Sequence, residues 1–238
     1  LRLAGKVSSG GVSPISLAIH EDLVYVLNGG GAGNITGFQL TTQDTLKPIP
    51  GSTRSLSGPA TAPAQIEFNP EGDTLVVTEK ATKVIDTYTV EEDGVATGPV
   101  SQPSSGETPF GFSFNKRGVL IVSEAFGGRA NASAVSSYVL RKGVLDLRSG
   151  SVPDFQSAAC WIVITKNGKF AYTSNTGSNN ISSYRVGRGG RLTLLESVAA
   201  STGAAPIDMA LSGNSRLLYV LNAAARTIDV FRVDRWDG

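Results

Sequence analysis

Five segments of this 238-residue chain repeat one pattern, opening at Pro14, Pro63, Pro109, Ala159 and Pro206, at intervals of 49, 46, 50 and 47 residues. Each copy reads as an apolar strand, a short turn, a second strand closing on Asn or Glu, a Gly- or Asn-rich loop, and two further strands. The fourth copy is the clearest: residues 160–164 are an apolar run, Gly168 ends a turn, and residues 169–175, 181–186 and 192–198 follow as strands. A period in the forties with four short strands per unit predicts an all-β chain of four-stranded antiparallel propeller blades. One blade is a small twisted sheet whose apolar faces need neighbours, so blades stack around an axis.

The copies place one domain over residues 1–238, with blades at about 14–58, 63–105, 109–156, 159–203 and 206–238. Second strands are expected at 23–28, 74–79, 119–124, 170–175 and 217–222, and third strands at 35–40, 84–90, 135–140, 181–186 and 228–233. Every third strand carries one ring, Phe38, Tyr88, Tyr138, Tyr184 or Phe231, which fits packing between blades. Residues 1–7 read like the fourth strand at 192–198, so they are expected to pair with 228–233 and clasp the last blade, leaving few edges exposed.

Net charge is +1, which argues against nucleic acid or an anionic membrane as the main partner. The cluster Arg185, Arg188 and Arg191 spans a Gly-rich hairpin and reads as a solvated edge. No apolar run approaches the ~18 residues of a membrane helix, so a soluble protein is expected. The chain opens at Leu1 with no leader; a leader is removed on maturation, so export stays open. Cys160 is the one cysteine, which rules out an internal disulfide and a thiolate metal site, and it reads as an inert buried thiol. His20, the one histidine, reads as a surface turn residue. The run Gly29–Gly33 precedes a strand where a dinucleotide fold needs a helix, and Trp236-Asp237 is a chance dipeptide. These readings call for no cofactor and no metal.

The wording of the repeat, with Asn69-Pro-Glu-Gly72, Lys166-Asn-Gly-Lys-Phe-Ala-Tyr172 and Leu217-Leu-Tyr-Val-Leu-Asn222, resembles the propeller lactonases. That family includes 6-phosphogluconolactonase-like and carboxymuconate-lactonising proteins, and its repeats are of the WD40/YVTN-like kind. The resemblance implies seven blades, of which this chain looks like the last five; a closed fivefold propeller is the alternative. It also implies a site at one channel mouth. There a family His-Pro-His is Ala62-Pro63-Ala64 in this chain, a Pro-Arg-His is Pro109-Phe110-Gly111, a Pro-Arg is Pro206-Ile207, and an Asn-Glu is Ser123-Glu124. Ile15, Ala64, Phe110, Cys160 and Ile207 would then line an apolar throat that lacks both an oxyanion donor and an Arg for phosphate.

Two sets of candidate residues follow. Asn28, Glu79, Glu124, Asn175 and Asn222 close the second strands at one height, as an acidic, amide-rich rim. Glu79 and Glu124 come from successive blades and are the candidate catalytic pair, since close carboxylates can divide acid and base roles; turn capping is the competing role. The second set follows the anchors: Gln65, Phe110, Trp161 and Asp208 are candidate ligand contacts. The expected function is a catalytically drifted lactonase-like propeller holding a neutral or cationic small molecule, or a partner, at the channel mouth. An active lactone hydrolase working through Glu124 is the alternative, and a scaffold using the outer edges is a third reading. Oligomers are expected where blade edges stay open.

Overall fold

Each repeat folds into one antiparallel sheet, and the computed structural model describes residues 2–234. The residues group into two compact units, Leu1–Pro103 with Lys142–Val144, and Ser104–Arg141 with Leu145–Gly238. In the first unit, β1 (Val12–His20), β2 (Leu23–Gly30) and β3 (Asn34–Leu40) are followed by β4 (Leu46–Pro48) and β5 (Arg54–Ser55), both paired with β3. Its second sheet is β6 (Pro63–Phe68), β7 (Thr74–Glu79), β8 (Val84–Val90) and β9 (Ala96–Pro103).

The second unit holds three sheets. The third is β10 (Pro109–Phe114), β11 (Val119–Glu124), β12 (Ala134–Arg141) and β13 (Val144–Pro153). The fourth is β14 (Ala159–Ile164), β15 (Phe170–Asn175), β16 (Asn180–Val186) and β17 (Leu192–Ser201). The fifth is β18 (Pro206–Leu211), β19 (Leu217–Asn222) and β20 (Thr227–Arg232). Two 3₁₀ turns, Phe126–Gly128 and Arg188–Gly190, are the only helical elements among the described residues.

Local chemistry sets the hairpins. Between first and second strands, a short polar side chain accepts a bond from the backbone N–H that opens the second strand. Asn69 Oδ1 takes Thr74 N at 3.0 Å, Asn115 Oδ1 takes Val119 N at 3.1 Å, and Thr165 Oγ1 takes Phe170 N at 3.1 Å. Ser212 Oγ does the same for Leu217 N at 3.0 Å. This is the side-chain imitation of a backbone turn that Asn, Ser and Thr provide. Gly168 supplies the left-handed residue of its turn, with φ 68°.

Strand alternation then builds the core from both faces. On β15, Phe170 and Tyr172 join Met209, Leu218 and Val220 on one side, while Ala171 joins Ile121, Ile162 and Tyr184 on the other. In the first unit, Tyr25, Leu27, Ile66, Leu75, Val77 and Tyr88 are among the residues of one cluster. The third-strand rings lie between sheets as their recurrence predicts, and their hydroxyls find partners. Tyr88 donates to Ser55 O at 2.9 Å, Tyr184 donates to Val152 O at 3.3 Å, and Tyr138 accepts from Ser105 N at 2.8 Å. A buried tyrosine thus keeps its polar end bonded.

Two expectations change. Residues 2–7 are not a strand and are exposed; they run beside residues 44–46 of their own unit, where Gly5 sits against Thr45. Apolar residues at alternate positions do not make a strand unless a backbone edge is at hand to bond it. The fifth sheet accordingly has three strands among the described residues, not four. Leu1 and the Trp236-Asp237 dipeptide lie outside the described residues.

His20 is half-buried, its ring 5.7 Å from that of Phe68, and it fills the space that Gly72 leaves free. Its place at the end of β1, against the turn of the next hairpin, gives the imidazole an apolar support that its turn-like sequence context did not announce. Among the described residues, no helix is long and apolar enough to cross a membrane.

Candidate functional site

The residues that open the repeats, Pro14, Pro63, Pro109, Ala159 and Pro206, are the anchors of the first strands, and each follows a non-glycine residue in the left-handed region. These are Ser13, Ala62, Thr108, Ala158 and Ala205, with φ of 53°, 47°, 57°, 56° and 55°. Side chains with a Cβ seldom adopt that conformation. In four repeats a hydrogen bond from the residue after the second strand holds it in place. Lys80 N reaches Ala62 O at 3.2 Å, Ala125 N reaches Thr108 O at 3.0 Å, Thr176 N reaches Ala158 O at 3.0 Å, and Ala223 N reaches Ala205 O at 2.8 Å.

Directly after each anchor the register shifts. Bulges fall between Pro14 and Ser16, Pro63 and Ile66, Pro109 and Phe112, Ala159 and Ile162, and Pro206 and Asp208. A bulge takes its extra residues out of the pleat and re-aims their side chains. Ala64, Gln65, Phe110, Cys160, Trp161 and Ile207 therefore sit in bulges, and Asp208 closes one.

In the second unit three bulges come from neighbouring strands. The position of a Cβ on Gly111 lies 2.6 Å from Cys160 O and 3.0 Å from Trp161 Cε3, so only glycine lets the Trp161 indole lie where it does. Ser123 Oγ lies 2.6 Å from Cys160 O and 3.0 Å from Gly111 O, tying the two bulges together. Cys160 Sγ faces Ile207 O at 3.7 Å. Phe110, Cys160 and Trp161 are half-buried, while Ile207 and Asp208 are exposed. Cys160 is thus not the fully buried thiol its apolar neighbours imply, because the bulge turns it out of the sheet. Gln65, in the first unit, is buried and donates to Glu67 Oε2 at 3.1 Å. That leaves it no open face for a ligand.

The second-strand residues form no rim. Each pairs with its own anchor, Pro14 with Asn28, Pro63 with Glu79, Pro109 with Glu124, Ala159 with Asn175 and Pro206 with Asn222, and all five are fully buried. Glu79 lies in the first unit and Glu124 in the second, each with a complete set of donors. Glu124 Oε1 accepts from Gly106 N at 2.8 Å and Ser136 Oγ at 2.5 Å, and its Oε2 from Ser151 Oγ at 2.6 Å. All three donors are neutral. Burial raises its pKa, and Ser136, Ser151 and Gly106 only partly oppose this.

Glu79 is gripped in the same way. Its Oε1 accepts from Ser57 N at 2.9 Å, and its Oε2 accepts from Ser57 Oγ and from Thr82 Oγ1, the latter at 2.5 Å. Asn28 donates to Ser9 O at 3.1 Å and Asn34 Oδ1 at 2.8 Å, and Asn175 donates to Asn180 Oδ1 and Ser182 Oγ, both at 2.8 Å. Asn222 donates to Thr227 Oγ1 at 3.1 Å. The asparagines reach the third strand of their own sheets, and Asn28, Glu79 and Glu124 also hold the segment that leads into the first strand, while the Oδ1 atoms of Asn28, Asn175 and Asn222 are buried without a hydrogen-bond partner.

A third-strand position completes this arrangement and was not singled out from the sequence: Thr36, Asp86, Ser136, Ser182 and Asp229. Each is polar and lies two residues before the recurring ring, and that constant spacing is the signal that marks it. Asp86 is the most unusual. It is fully buried, its Oδ1 accepts from Ser101 Oγ at 2.6 Å, and its Oδ2 receives no hydrogen bond. Burial and the adjoining Glu79 carboxylate push its pKa up to about 7. Both causes favour the neutral, protonated form of Asp86 beside Glu79. Asp154 is a milder case, raised to about 6 by burial against the lowering effect of the Gln156 N–H.

Comparison with known proteins agrees with this architecture. Residues 142–238 match the family described as lactonase, seven-bladed β-propeller. The chain resembles the seven-bladed lactonases. Among solved structures, a candidate 6-phosphogluconolactonase from Bacteroides uniformis superposes with a TM-score of 0.80 at 18% identity, covering 97% of this chain and 69% of that one. A second candidate 6-phosphogluconolactonase, from Bacteroides fragilis, gives 0.79 at 19% identity, covering 97% and 68%. The periplasmic gluconolactonase PpgL of Pseudomonas aeruginosa gives 0.76 at 16% identity, covering 94% and 67%. No curated protein matches the chain. The lactonase-like fold thus spans nearly all of the chain, and the family match itself begins after Glu124.

Proposed function

We propose that this lactonase-like propeller protein is not a lactone hydrolase working through Glu124, but holds a neutral or cationic small molecule at the bulges of the second unit. The state of Glu124 carries this reading. A general base must present a free oxygen to water, and the developing oxyanion needs a cation or an aimed donor. Glu124 is closed from solvent, and its oxygens are taken by Gly106, Ser136 and Ser151. The bulge residues Phe110, Gly111, Cys160, Trp161 and Ile207, with Asp208 beside them, offer two aromatic rings and one carboxylate, and no Lys, Arg or His. A cation is favoured over an aromatic face and beside a carboxylate, and a phosphate is not.

The purified chain is assayed with 6-phosphogluconolactone, and hydrolysis no faster than the spontaneous rate is expected for it and for Glu124→Gln. Turnover in the parent that disappears in the variant would sink the proposal and make Glu124 a working base. The binding half is tested by titrating choline against tryptophan fluorescence. Saturable quenching in the parent and its loss in Trp161→Phe are expected; an unchanged spectrum in the parent removes the ligand reading.

A further inference from the structure

The net charge of +1 is the balance of two unlike parts. The second unit holds 14 Lys and Arg against 9 Asp and Glu, and the first unit 7 against 11. Two of the nine carboxyls, Glu124 and Asp154, are fully buried, so the surface of the second unit is more basic still.

These cations gather at one end of the sheets, the end away from the bulges. The turn between first and second strands carries Lys116 and Arg117 in the third sheet, Lys166 and Lys169 in the fourth, and Arg216 in the fifth, all exposed. Antiparallel pairing returns the hairpin between third and fourth strands to the same end, and there Arg141, Arg188 and Arg191 are exposed as well. The repeat does not require a basic turn: in the first unit the same turns carry Glu21, Asp22, Glu71 and Asp73.

The basic turns touch one another in order. The position of a Cβ on Gly168 lies 3.7 Å from Arg117 Nη2, which sets the third-sheet turn against the fourth. Lys166 N donates to Ser215 Oγ at 2.9 Å, which sets the fourth against the fifth. Ser137 Oγ donates to Gly190 O at 2.6 Å and brings the Arg188–Arg191 hairpin onto the third sheet. Arg185, at the same end of β16, holds its guanidinium 5.6 Å from the centre of the Phe170 ring. Carboxylates are few here: Asp146 is paired with Arg148 at 2.9 Å and Arg141 at 4.0 Å, and Asp234 lines one hollow with Lys166. The other Lys and Arg of these turns form no ion pair among the described residues.

We propose that this turn end of the second unit binds an acidic, extended segment of a partner protein. Unpaired cations set side by side repel one another, and a chain of carboxylates relieves that repulsion. Sheets packed about 10 Å apart place the row from Arg117 to Arg216 over roughly 20 Å, which an extended peptide of about six residues spans. The arginine forks take carboxylates through paired hydrogen bonds. Two other polyanions fit less well. Single-stranded nucleic acid is held by bases stacked on exposed rings, and here Phe170 is buried beneath Arg185. A lipid surface takes up apolar side chains together with basic ones, whereas residues 115–118, 165–169, 187–191 and 212–216 are Gly, Asn, Ser, Thr, Lys and Arg only.

The test is fluorescence anisotropy of a labelled peptide of about ten glutamates titrated with the whole chain. Saturable binding is expected at about 20 mM salt, weakening about tenfold by about 150 mM. Lys166→Glu/Lys169→Glu and Arg188→Glu/Arg191→Glu are each expected to weaken it about tenfold at low salt. Lys47→Glu/Lys83→Glu makes the same change in net charge at exposed positions of the first unit and is expected to leave binding as in the parent. The parent and its salt series need no variant, so a misfolded variant does not decide the matter. No saturable binding by the parent, binding indifferent to salt, second-unit variants that bind like the parent, or an equal loss in the first-unit variant overturns the proposal. So does a tighter hold on polyuridylate or on phosphatidylserine vesicles than on the peptide, which assigns the surface to nucleic acid or to lipid.

Discussion

Replacing Asp86 with Asn is expected to stabilise the protein at neutral pH, although it alters a fully buried, hydrogen-bonded residue. Asp86 Oδ1 accepts from Ser101, its Oδ2 has no other partner, and the carboxyl adjoins that of Glu79, so that a proton on Asp86 relieves the repulsion between them. An asparagine keeps the acceptor for Ser101 and stays neutral beside Glu79, without a proton to lose. The native pKa of Asp86 is raised to about 7, above its unfolded value, so the native state binds this proton more tightly than the unfolded chain does. Its contribution to stability is therefore complete below about pH 4 and is lost as pH rises through about 7. The rise from an ordinary 3.8 to about 7 corresponds to about 4 kcal/mol at full deprotonation. Relaxation around the ionised pair lowers that ceiling, so a gain of ~2–4 kcal/mol at pH 8 is expected for Asp86→Asn. For a chain of this length it amounts to a rise of roughly 5–15 °C in Tm. Thermal unfolding by circular dichroism from pH 4 to pH 8 reads it out. The two proteins should melt together at pH 4 and diverge steadily above it. A variant that melts below the parent at pH 8, or an offset independent of pH, would refute the neutral Asp86 beside Glu79.

Other perturbations test the remaining structural claims. Glu124→Ala leaves the Gly106 N–H and the Ser136 and Ser151 hydroxyls without their acceptor, and a loss of ~3 kcal/mol is expected in chemical denaturation. Glu124→Gln should cost less, because it keeps a carbonyl acceptor and loses the buried charge. Gly111→Ala drives a methyl to 2.6 Å from Cys160 O, a backbone atom that cannot swing away. A loss of ~1–3 kcal/mol with a shift in Trp161 emission is expected, and an unchanged spectrum would contradict the close approach. Asp154, raised to about 6, should add a second pH-dependent loss of stability between about pH 4 and pH 6, which Asp154→Asn removes.

Strand order was legible in the chain because it is written five times. β7, β11, β15 and β19 have the bounds that the repeats predict, since alternation, turn residues and a closing Asn or Glu recur together. Recurrence also led to the third-strand rings. What it did not show is where a polar residue points. Glu124 and Glu79 end their strands beside loops, a context that reads equally as an open rim or a buried cap. Only the incoming segments, with Gly106 and Ser57 laid against them from far along the chain, decide for burial. Asp86 was overlooked because its chemistry depends on Glu79, a residue of the neighbouring strand, and a proton held beside a carboxylate across a hairpin leaves no mark on either residue alone. The bulges are likewise tertiary: a strand of the right composition gives no sign that its register slips one residue after the anchor, which turns Phe110, Cys160 and Trp161 out of the pleat. Residues 2–7 make the same point in reverse. They have the alternation of a strand and none of its structure, because a strand exists only where another backbone completes its hydrogen bonds. Local pattern thus determined the elements, and the packing of distant segments decided which side chains are buried, shared or free.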